Sequence, residues 1–148
     1  MGKRPKYKHQ PFESSTEQGK YTKICDDMMT SPAWQRLSLR QRGLYLYMKT
    51  KYTQKKINGQ IISDDANDIS IPMVEAKQIY GDLRTFRKDL DMLISHGFIK
   101  QVSCGVIARS VNIYGFSDYW KNYCSTDFEI PHNDIRKTIK FGTLKKDT

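Results

Sequence analysis

Leu83, Phe86, Leu90, Leu93 and Ile94 recur at three- and four-residue spacing, and this stripe constrains the fold more than any other feature of the chain. It predicts a helix over roughly Leu83 to His96 with one apolar face, which has to be covered by other elements. Gly81-Asp82 breaks the chain before it. Gly97 stands where a left-handed cap would end it, with Phe98 able to fold back onto Leu93. Beyond Gly97 the period changes. Phe98 to Ser103 has strand composition, Cys104-Gly105 suits a tight turn, and Val106 to Tyr114 is again β-branched and aromatic, which predicts a two-stranded hairpin.

The elements upstream are marked by their starts. Ser31-Pro32 places Pro at a first helical position, with Ala33, Trp34 and Leu37 as a short apolar stripe. Ser38 and Gln41 have capping-box spacing. After them Leu44, Met48 and Tyr52 share a face, and Tyr45, Leu46 and Tyr47 widen it into a mostly buried helix. Lys49, Lys51, Lys55 and Lys56 fall near its end, where cations suit the dipole. Asn58-Gly59 is a turn signal, and Gln60-Ile61-Ile62 reads as a short strand. Ile71-Pro72 opens another helix, to about Tyr80, with Val74, Ala76 and Ile79 available to the core. A last short helix starts at Ser117 and carries Tyr119, Trp120 and Tyr123.

The order helix, helix, short strand, helix, turn, helix, hairpin defines an α+β winged helix-turn-helix with a two-stranded wing. The expected domain covers residues 21–124. Residues 1–20 read as a flexible basic arm, with Lys3, Arg4, Lys6 and Lys8 among prolines, and 125–148 as a second basic tail. Twenty-five Lys and Arg against 16 Asp and Glu give a net charge of +9, which attracts polyanions. A helix after such a turn normally enters the major groove of DNA. Its apolar stripe turns Arg84, Thr85 and Lys88 outward, with Asp91, Met92 and Ser95, and leaves Arg87 at the flank. Arg holds guanine through two hydrogen bonds, while Lys and Thr suit phosphates or base edges. Lys100, Gln101 and Arg109 are the corresponding candidates on the wing. The expected partner is double-stranded DNA.

Three segments together resemble a winged-helix family of plasmids, phages and integrative elements of Gram-positive bacteria. They are Ser31-Pro32-Ala33-Trp34 with Leu37-Ser38 and Leu44-Tyr45-Leu46; Arg84 to Leu90 with Leu93-Ile94 and Gly97-Phe98-Ile99; and Tyr114-Gly115-Phe116-Ser117-Asp118-Tyr119-Trp120. The family is similar to replication-initiator N-domains and relaxosome accessory proteins. The resemblance, over about residues 21–123, implies a mobile-element protein acting in transcription, replication or conjugative transfer, with relaxosome or replisome proteins as further partners. One departure is Gln60 to Ser70, which is longer and more acidic than the family pattern.

Other classes find less support in the residues. Cys25, Cys104 and Cys124 are odd in number and widely spaced, which fits a reducing cytoplasm rather than a disulfide framework. His9, His96 and His132 are scattered, so no zinc-ligand cluster forms, and no metal or other cofactor is expected. A calcium loop begun at Asp64 fails, because its third and sixth positions are Ala66 and Ile69, and a solvated acidic loop is expected there. No stretch approaches the roughly 20 apolar residues of a spanning helix, and the basic start lacks the apolar segment of a secretory signal. No His pair, carboxylate cluster or phosphate loop of an enzyme is apparent, so catalysis is not expected. A protein–protein adaptor, using Asp91, Met92 and the acidic loop, is the alternative to DNA binding.

Overall fold

A computed structural model describes residues 10–13, 15, 20–105, 111–126 and 128–130. The chain is α+β. Two short helices, α1 (Asp26–Thr30) and α2 (Pro32–Gln35), lead into α3 (Leu39–Thr50). Strands β1 (Gln54–Ile57), β2 (Gln60–Asp64) and β3 (Ile69–Ser70) follow, then helices α4 (Met73–Tyr80) and α5 (Leu83–Ser95). Strands β4 (Ile99–Ser103) and β5 (Ile113–Phe116) and a 3₁₀ turn, Tyr119–Asn122, complete the order. Among the described residues no helix is long and apolar enough to cross a membrane.

Local chemistry explains the helix ends. The Ser31 hydroxyl accepts from Trp34 N–H, with Pro32 in the first turn of α2. The capping box of α3 is formed: Gln41 N–H donates to Ser38 Oγ, and Ser38 N–H donates to Gln41 Oε1. At the end of α5, Phe98 N–H reaches Leu93 O and Gly97 N–H reaches Ile94 O, a Schellman closure. Gly97 has φ +83°, and a Cβ there would lie 2.5 Å from Trp120 N and 2.7 Å from Tyr119 C. Both the angle and the approach of the backbone exclude a side chain. Gly97→Ala is therefore expected to cost about 1–3 kcal/mol, read as a shift of the urea midpoint. An unchanged midpoint would mean that the 3₁₀ turn does not pack there.

The core lies between α2, α3, α5 and a three-stranded antiparallel sheet ordered β3-β5-β4. Phe86, Leu90, Leu93 and Ile94 are buried as the stripe predicts, and Leu83 is partly buried. Trp34, Tyr45 and Phe98 meet edge to face at centroid distances of 5.4–5.8 Å, and Trp120 stacks on Phe98. Such contacts add to the apolar area that each ring buries.

Several expectations need correction. Helix α3 ends at Thr50, so Tyr52 packs on the core from the following loop, and Leu46 is exposed. Lys55 and Lys56 belong to β1 rather than to the helix end, because Asn58-Gly59 (φ +51° and +80°) reverses the chain and pairs β1 with β2. Both turn residues are left-handed, the geometry that matches strand twist in a two-residue hairpin. The 64–68 segment is not simply a solvated loop. Asp65 accepts from Thr53 N–H and Thr53 Oγ at 2.6 Å each and closes the base of this hairpin. Val74 and Ile79 of α4 face outward, leaving Ala76 as its buried residue. Cys104-Gly105 is not the hairpin turn, since Ser103 pairs with Ile113 across residues 104–112. Packing also runs past residue 124, with Phe128 edge-on to Tyr123 and Ile130 partly buried against the core.

Candidate nucleic-acid interface

Helix α5 begins at Asp82, whose carboxylate accepts from Arg84 N–H (3.0 Å) and Thr85 N–H (3.1 Å). An aspartate here satisfies two of the four free N–H groups and suits the positive end of the helix. The Thr85 hydroxyl donates to the same carboxylate at 2.7 Å. That hydrogen bond, helped by the two backbone donors, holds the Asp82 carboxyl below its usual range.

The cap fixes what α5 presents. Arg84, Arg87 and Lys88 are exposed, together with Asp91 and Ser95. At spacings of three and four residues these cations lie beside one another on the outer face. Thr85 is half-buried and its proton is committed to the cap, so it is a weaker candidate for base contact than its position suggested. Arg87 leans towards α4, with Nη2 4.0 Å from Met73 Sδ.

On the β4–β5 pair the candidates separate. Lys100 is half-buried, whereas Gln101 is buried at 8% exposure and does not offer its amide to a groove. Strand alternation explains the difference: Ile99 and Gln101 face the core, and Lys100 between them faces the other way. Arg109 and the arm residues Lys3, Arg4, Lys6 and Lys8 lie outside the described residues.

One group that sequence reasoning passed over determines where the basic face stands. Asp89 is 1% exposed, inside the apolar stripe. Arg40 grips it with Nε (2.5 Å) and Nη2 (3.0 Å), Gln41 Nε2 donates at 3.2 Å, and Tyr80 Oη donates at 2.8 Å. Four side chains from three helices thus converge, and α4 and α5 are pinned to the start of α3. Burial pushes the Asp89 carboxyl up, but the bonds from Arg40, Tyr80 and Gln41 outweigh it, and the group stays below the ordinary range. Burial, then the bond to Asp89, pushes the Tyr80 phenol well up. The signal was present in the sequence, because position 89 is three residues after Phe86 and next to Leu90, on the inner face.

Among the described residues no three His, Cys, Asp or Glu side chains are grouped to hold a metal ion. No protein-family model, curated protein or solved structure matches the chain.

Proposed function

We propose that this chain is a winged-helix protein that binds double-stranded DNA through α5. The observation that carries the reading is the exposure of Arg84, Arg87 and Lys88 on a helix whose opposite face is buried, directly after a short turn from α4. The sheet order β3-β5-β4, with β4 and β5 following α5, supports the same frame. In it α5 is the helix that reads the major groove, and the β4–β5 pair is the wing. The net charge of +9 supplies the long-range attraction to phosphate. The protein acts by binding, as a regulator or as an accessory factor in replication or transfer. The mobile-element setting rests on the sequence resemblance alone.

Arg84 stands in the first turn of α5, the part of a docked helix that reaches base edges. Arg84→Ala is expected to cost about 1–3 kcal/mol on a site selected from random duplexes and to flatten preference at one base pair. Lys88→Ala, one turn further along, is expected to weaken specific and non-specific duplexes alike and to lower the salt slope by about one. Fluorescence anisotropy over a salt series reads both. Normal binding by both variants would reject α5 as the reading element.

A second reading, a protein–protein adaptor, is favoured by the exposed apolar side chains of α4, Met73 (54%) and Val74 (72%). Binding through that face would be nearly independent of salt, unlike binding to phosphate.

A further inference from the structure

An open cavity of about 730 Å³ lies away from α5, between the segment from residue 20 to Met28, the C-terminal end of α3 and the base of β1. Lys20, Tyr21, Lys23, Lys49, Tyr52 and Thr53 contribute to its wall. Among the described residues that line it, the charged ones are all lysines.

The three lysines are not equivalent. Lys20 is already used, its ammonium donating to Thr50 O at 3.0 Å at the end of α3. Lys49 is half-buried and has no carboxylate partner among the described residues. Its ammonium lies over the rings of Tyr52 (5.4 Å) and Phe116 (5.3 Å). Burial lowers its pKa, and nearby Lys23 adds to the lowering while Cys25 opposes it. Asp65, beside the hairpin, is held by Thr53. Lys49 is therefore a partly desolvated cation with the exposed Lys23 near enough to repel it, and an anion between them would relieve that repulsion. The cavity is much larger than an inorganic phosphate needs and falls in the size range of small-molecule sites. Tyr21, 73% exposed, adds aromatic surface at its mouth.

We propose that this cavity binds a nucleotide, with its phosphates between Lys23 and Lys49 and its base against Tyr21. The phosphate accepts hydrogen bonds from the two ammonium groups, and no covalent step is involved. The ligand is either a free nucleotide or one unpaired nucleotide of a strand, and the same lysines would hold both.

The test titrates the full chain with ADP and, separately, with a short oligo-dT strand by isothermal calorimetry. Lys49→Met keeps the apolar stem over Tyr52 and Phe116 and removes the charge. Lys77→Met, on the exposed face of α4, controls for a general loss of charge. The expected result is binding of at least one probe that Lys49→Met weakens about tenfold or more, the worth of one charged hydrogen bond. Lys77→Met should change it less than about threefold. ADP binding identifies a free nucleotide, and binding of oligo-dT alone identifies a strand. No binding of either probe by the wild-type chain overturns the proposal, as does equal loss in Lys49→Met and Lys77→Met. An unchanged thermal midpoint of Lys49→Met separates lost binding from lost folding, and Lys23→Met serves as the second variant if that midpoint falls. Duplex binding through Arg84 is measured independently, so either assignment can fail alone.

Discussion

Replacing Phe86 with Ala is expected to lower the free energy of unfolding by about 3–5 kcal/mol, the usual loss for a buried aromatic truncated to Ala. Phe86 is 5% exposed and meets the Tyr80 ring edge to face at 5.4 Å, so it holds α5 against α4. Few partners can refill the space, because the neighbouring core positions are themselves packed and Tyr80 is held at its hydroxyl by Asp89. Urea unfolding with an unchanged slope would read the loss directly. A loss below about 1 kcal/mol would show that the site collapses or that the ring is not in the core. On the proposed DNA-binding reading, duplex affinity of the folded fraction should be unchanged, since the buried Phe86 ring faces away from the exposed Arg84 and Lys88. This separates the variant from the charge substitutions, which should alter affinity and leave stability alone.

Asp89→Ala is the second large effect. It removes the acceptor for Tyr80 Oη and Gln41 Nε2, two donors with little access to water, and releases Arg40. Stranding such donors costs about 1–3 kcal/mol each, which gives roughly 2–6 kcal/mol for the substitution. The carboxylate also makes stability depend on pH. Its folded-state pKa lies below the unfolded value, so its contribution is complete above about pH 4, the ordinary aspartate value, and is lost as pH falls through the lower folded value. Wild-type protein should therefore lose stability more steeply in acid than Asp89→Asn, which carries no titrating group there. Thermal midpoints of both proteins between neutral pH and about pH 2.5 make the comparison. Parallel curves would mean that Arg40 does not hold a charged Asp89.

The positions of α4, α5 and β4 were legible because their signals are local, whereas β5 (Ile113–Phe116) overlaps the expected Val106 to Tyr114 only at Ile113 and Tyr114. Leu83 to Ile94 follow a helical period, Asp82 and Ser38 cap by hydrogen bonds to residues two and three further on, and Gly97 ends α5 by bonds to Leu93 and Ile94. None of these depends on a distant part of the chain. The β1–β2 hairpin was only half legible. Asn58-Gly59 announced a turn, but Gln54 to Ile57 carries two lysines and reads as the end of a helix until its partner strand is known.

For this chain, the sequence by itself determined which face of α5 is apolar and which is cationic, since both follow from spacing along one helix. Only the tertiary structure decided the surroundings. Burial of Asp89 needs Arg40 and Gln41 from nearly fifty residues away, without which an aspartate would stay in water. The exposure of Val74 and the burial of Gln101 depend on which neighbours cover each face. The lysine-lined cavity exists only because residues 20 to 28 lie against the end of α3 and the base of β1. Spacing along a chain states which side chains share a face, while burial and charge are set by what packs against that face.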